Sequence, residues 1–117
     1  MEDLKVLWAK LIIDYCNHLL SRNYSKVQVK NRFYTLRRFA RLMVRSNVRP
    51  EDVSFKVVNR FLEFERGKKL PSSLDYEVRI LKDFYRYLVK MGVVEENPFE
   101  EVTIKVSKSE REYLTEE

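Results

Sequence analysis

Apolar side chains recur at steps of three and four along most of this chain, and little interrupts them: its 117 residues include only two glycines and three prolines. Leu4, Trp8, Leu11, Ile12, Tyr15 and Leu19 form one stripe, which predicts a helix from about Asp3 to Arg22 that stops at Asn23. Ser25 fits the N-cap of a second helix with the stripe Val29, Phe33, Leu36, Ala40 and Met43. Pro50 breaks the pattern before Ser54 caps a third, shorter helix using Val57, Val58, Phe61, Leu62 and Phe64, with Gly67 placed to stop it. Ser72 or Ser73 is the expected cap of a fourth, with Leu74, Val78, Leu81, Tyr85 and Leu88 inward and Gly92 at its end. A many-turned β sandwich needs far more turn residues than this; the pattern is that of an all-α chain of long helices with short connections.

Charge is distributed unevenly over those helices. Between Tyr15 and Pro50 there is no acidic residue, yet the window holds Arg22, Lys26, Lys30, Arg32, Arg37, Arg38, Arg41, Arg45 and Arg49. The rest of the chain has fourteen basic against eighteen acidic side chains, so the net +5 is a cationic block in an otherwise acidic protein. Segregation of this kind points to a polyanion, nucleic acid being the commonest, against the alternative of a merely solvated face. At 100° per residue, Lys26, Lys30, Tyr34, Arg37, Arg41 and Arg45 share an arc of about 100° that faces away from the apolar stripe. The far side of the fourth helix holds Ser72, Tyr76, Arg79, Lys82, Arg86 and Lys90.

Other features narrow the class. An apolar share of 44% suffices for one core in one domain, and the single cysteine, Cys16, allows neither a disulfide framework nor a cysteine-rich metal site. His18 is solitary and has no partner ligands or nucleophile, so no cofactor or metal is expected. There is no uncharged run of membrane-spanning length and no basic secretion signal, which predicts a cytoplasmic protein without a membrane partner. After Asn97 and Pro98 the chain turns polar, with a short alternation of Val102, Ile104 and Val106 fit for one strand or an extended linker. Thr115, Glu116 and Glu117 read as the start of a further helix, as if the sequence were a piece of a longer protein. The expected division is a helical domain over 1–98 and a linker leading to a missing catalytic domain over 99–117.

Three stretches then read together: Leu36, Arg37, Arg38 and Phe39 in the basic helix; Asp83 to Leu88 in the fourth; and the closing run of Gly92, Val93, Val94, Asn97, Pro98, Lys105, Lys108 and Leu114 to Glu117. From about Leu7 onward the chain resembles the N-terminal core-binding domain of tyrosine recombinases, of the phage integrase and Xer type. The resemblance implies a four-helix SAM-like orthogonal bundle forming half of a clamp around double-stranded DNA, its second and fourth helices at adjacent major grooves. It also implies a catalytic domain of the same parent protein beginning near Leu114, with subunit contacts on DNA. Gln28 stands where the family usually has threonine, and Tyr76 where a basic residue is common. None of the catalytic motifs is present, so the chain is expected to bind DNA and not to cut it.

The expected contacts are Lys26, Lys30, Arg37 and Arg41 to phosphates, with Arg38 and Arg45 as further candidates, and Gln28, Asn31 and Arg32 to base edges. Ser25, Ser73, Tyr76, Arg79 and Lys82 complete the set. Two other readings use the same residues: a single-strand or RNA binder stacking bases on Tyr34 and Tyr76, and a protein-interaction module docking through exposed aromatics.

Overall fold

The computed structural model describes residues 3–106. They form α1 (Leu4–Ser21), α2 (Lys26–Arg45), a 3-10 turn (Pro50–Asp52), α3 (Phe55–Arg66) and α4 (Pro71–Lys90). There is no strand among the described residues. The alternation at Val102, Ile104 and Val106 is therefore extended chain, with Val102 buried and Ile104 partly so.

Local chemistry sets the helix limits. Asp3 caps α1 by accepting from the Lys5 backbone N–H at 2.9 Å, and Ser54 caps α3 by accepting from that of Val57. At α2 the cap is reciprocal: Ser25 Oγ accepts from the Gln28 N–H, and Gln28 Oε1 accepts from the Ser25 N–H. Neither Ser72 nor Ser73 caps α4. Its N-cap is Leu70, with Pro71 as the first helical residue, because proline's fixed φ and missing N–H suit that position. Three helices end on a left-handed residue, Asn23 (φ 68°), Asn47 (φ 57°) and Gly92 (φ 77°). After each, the next residue's N–H reaches back to a carbonyl of the last turn: Tyr24 to Leu19, Val48 to Met43, Val93 to Leu88.

The core is aromatic. Phe39 of α2 meets Trp8 of α1 at 5.8 Å between ring centroids, Phe61 of α3 at 5.0 Å and Phe99 of the C-terminal run at 5.7 Å, all edge to face. Phe99 in turn packs on Tyr85 of α4, so one set of rings joins all four helices. Two indole and phenol donors staple the α2–α3 connection beneath them: Trp8 Nε1 donates to the Val48 carbonyl and Tyr85 Oη to that of Pro50, at 3.0 and 2.8 Å. Burial pushes the Tyr85 phenol far above its ordinary pKa, with the Glu51 carboxylate adding to the effect.

Expected core positions change on α2 and α3, and Leu4 and Val57 are only partly buried. Phe39, absent from the predicted α2 stripe, is buried, while Phe33 is only half-buried. Both lie three residues from Leu36, and the Phe39 side of the stripe is the one that meets three ring partners. On α3, Phe64 is exposed and Glu65 takes the inward place, seven residues from Val58 and three from Leu62. The chain after Pro98 also stays on the bundle. Asn97 Nδ2 donates to the Lys82 carbonyl, Asn97 Oδ1 accepts from the Phe99 N–H, and Phe99 is fully buried.

Phe39→Ala should lower the unfolding free energy by about 3–5 kcal/mol in urea titrations. A loss below about 1 kcal/mol would show that the rings do not meet as described.

Candidate nucleic-acid interface

The inward commitment of Leu36, Phe39, Ala40 and Met43 determines what α2 shows to solvent. Lys26, Lys30, Tyr34, Arg37, Arg41 and Arg45 are all exposed, in a row about 28 Å long. Lys26, Lys30, Arg37, Arg41 and Arg45 form no ion pair with any described residue. Lys30 Nζ lies 5.9 Å from the centre of the Tyr34 ring.

Three other arginines of the acid-free window pair with carboxylates outside it, Arg32 and Arg38 with residues of α3 and α4 and Arg49 with Glu51 two residues on. Arg32 Nη1 donates to Tyr15 Oη at 2.8 Å and pairs with Asp83 of α4 at 3.1 Å, while Tyr15 Oη donates to Asp83 at 2.5 Å. Burial, then the hydrogen bond to Asp83 and its charge, raise the Tyr15 phenol far above its ordinary pKa. Arg32 also lies 5.2 Å from the Tyr24 ring centre, so this expected base reader ties α1, α2 and α4 together. Arg49 pairs with Glu51. Arg38 Nη2 donates to Glu65 Oε2 at 2.9 Å and lies 3.7 Å from Glu77.

Glu65 is fully buried, and Lys69 joins the same group, paired with both Glu65 and Glu77. Glu65 Oε1 has no hydrogen-bond partner among the described residues. The two cations at Oε2 therefore offset only part of the cost of burying that charge. Sequence reasoning passed over Glu65, Lys69 and Glu77. The spacing of Glu65 from Val58 and Leu62 was the available signal, and the basic turn before Pro71 was the signal for Lys69.

On α4 the expected cations are largely engaged. Lys82, expected on the far side, is half-buried and donates to the Val102 carbonyl at 3.0 Å. Arg79 pairs with Asp75 one turn earlier, and Arg86 with Glu100. The Arg79 side chain is still 74% exposed, so solvent screens that pair heavily. Ser73 is exposed at the start of α4, and Tyr76 and Tyr34 stand on one cleft of about 500 Å³ between α2 and α4. Ser25 and Gln28 spend side-chain oxygens on the cap, leaving the Gln28 amide nitrogen outward, and Asn31 is exposed.

Six carboxylates, Glu51, Asp52, Glu95, Glu96, Glu100 and Glu101, line a separate cleft at the C-terminal end of α4. Since α4 has 20 residues, that acidic end lies about 30 Å along its axis from Pro71. Cys16 is half-buried, which raises its thiol pKa, and His18 stacks on Tyr87 at 4.9 Å. Among the described residues no His, Cys, Asp or Glu cluster could hold a metal ion, and no helix is long and apolar enough to cross a membrane.

An all-α bundle with an unpaired cationic row at one place and carboxylates gathered at another is built like a helical polyanion-binding domain. Over residues 10–107 the chain matches the model of the phage integrase SAM-like domain, and it belongs to that family. No curated protein and no solved structure matches it significantly. Family membership implies DNA binding in recombination, and this stretch is the SAM-like domain, not the catalytic one. Lys108 and the run from Leu114 to Glu117, where a catalytic domain was expected to begin, lie outside the described residues.

Because Arg38 holds a buried carboxylate and Arg41 holds nothing, Arg38→Ala should cost about 1–3 kcal/mol of stability. Arg41→Ala should stay within about 0.5 kcal/mol in the same thermal or urea measurement. Equal effects would mean that the Glu65 pairing is not formed.

Proposed function

We propose that this domain grips duplex DNA at a recombination half-site through the exposed row of α2, with the N-terminal half of α4 alongside. On this reading it positions a catalytic domain of the same parent protein beyond the helical unit of 1–98 and a connection of 99–117 whose first part, with Phe99 and Val102, packs back on the bundle. The observation that supports it is the set Lys26, Lys30, Arg37, Arg41 and Arg45: five cations on one helix face, none neutralised by a described carboxylate. An isolated solvated face normally interleaves both signs, whereas a phosphate-binding face gains by releasing counterions from DNA.

Roles within the interface follow from what each side chain has left to offer. The five free cations contact phosphates. The Gln28 amide nitrogen and Asn31 are positioned near the start of α2 to reach base edges, while Ser73 donates from the start of α4. Arg79 joins by exchanging Asp75 for a phosphate, a cheap exchange for so exposed a pair. Arg32 and Lys82 support the face from behind, since their polar atoms are engaged within the protein. The carboxylates gathered at the C-terminal end of α4 disfavour approach of the duplex at that end, which orients the domain as it approaches.

A titration of labelled duplex at several salt concentrations tests this. If the five free cations each neutralise a phosphate, log K should fall with log salt at a slope near −4.5, roughly a 500-fold loss between 50 and 200 mM. Lys26→Glu with Lys30→Glu should weaken binding and flatten the slope by about 2. A slope near zero, or unchanged affinity in the double variant, would remove α2 from the interface.

A further inference from the structure

The cleft between α2 and α4 is built for something other than a phosphate. The shallow cleft is lined by Tyr34 and Tyr76, 51% and 52% exposed, one from each helix. Arg38, Lys69 and Glu77 line it too, and the first two pair with the buried Glu65. Two cations and two carboxylates are paired there, so the group is electrically balanced. A phosphate entering the cleft would meet Glu77 and would have to draw Arg38 or Lys69 from carboxylates they already hold.

A neutral planar ring meets no such conflict. Two tyrosine faces offer stacking surface, which tolerates any base because every base has a π face. Arg38, with 42% of its side chain exposed, brings guanidinium donors, and Glu77 has lone pairs beyond those its ion pairs use. Donor and acceptor side by side suit the hydrogen-bonding edge of a nucleobase. The volume, about 500 Å³, falls within the usual range of small-ligand sites. A base stacked and paired inside a duplex cannot enter such a cleft, whereas one that has left the stack can.

We infer that this cleft receives one unpaired nucleobase of the DNA whose phosphates lie along α2. The inference rests on the reading of α2 as the DNA-facing helix, and it adds a site specific for an unpaired base beside that row. Tyr34 and Tyr76 bind the base by its faces, and the balanced charged group binds its edge.

Three labelled duplexes of equal length separate the two ideas: one fully paired, one with a single extra nucleotide bulged from one strand, and one whose bulged nucleotide is abasic. The last two have the same backbone charge and length, and differ by the base alone. At one fixed salt concentration, fluorescence anisotropy should show the bulged-base duplex bound about tenfold more tightly than the abasic one. Tyr34→Ala and Tyr76→Ala should each abolish most of that ratio, and Tyr→Phe at either position should restore it. Lys30→Ala should weaken all three duplexes alike. Equal affinity for the base and abasic bulges, with all three bound, would overturn the base site and leave the duplex reading standing. Failure to bind any of the three would overturn both.

Discussion

Phe39 sets the geometry on which the remainder of this domain depends. Its ring is held edge to face by Trp8, Phe61 and Phe99, so α2 cannot rotate about its axis without opening contacts to α1, α3 and the C-terminal run together. With that rotation barred, the outward row from Lys26 to Arg45 has one direction in which to point. Binding geometry at the surface is thereby a consequence of ring packing inside, and the Trp8 and Tyr85 hydrogen bonds to the α2–α3 connection hold the far end of the helix to the same register.

Folding also sorts the charges. The acid-free window is a property of the linear chain, and the bundle brings Asp83 to Arg32 and Glu65 and Glu77 to Arg38, while Arg49 pairs locally with Glu51 two residues on. Those arginines become part of the scaffold. The cations left over are the ones whose side chains point off the solvent face of α2, where no other helix reaches. The same separation gathers carboxylates at the C-terminal end of α4. A chain with a net charge of only +5 can thus present a local field much stronger than its total suggests.

Much of this was legible before any coordinates, since helix periodicity and capping chemistry are local. The ends of α1 and α2, the Ser25 cap and the turn at Gly92 all follow from residues within one turn of each other. Misreadings arose where two local rules competed. At the start of α4, serine capping competed with proline at the first helical position, and proline prevailed. On α3, hydrophobicity favoured Phe64 as the inward residue, but the spacing from Val58 favoured Glu65, which found Arg38 and Lys69 across the interface. On α2, spacing alone does not choose between Phe33 and Phe39; the rings of three other segments do. Arg32 looked identical to its neighbours in sequence because its partners, Tyr15 and Asp83, lie 17 and 51 residues away.

Backbone amide shifts of the labelled protein, followed by NMR as duplex DNA is added, address the central claim most directly. The account predicts perturbations running along the solvent side of α2 and over the first half of α4, with the segments 51–55 and 93–101 around the acidic cleft left still. Shifts centred on that acidic cleft, or spread evenly over the bundle, would contradict it.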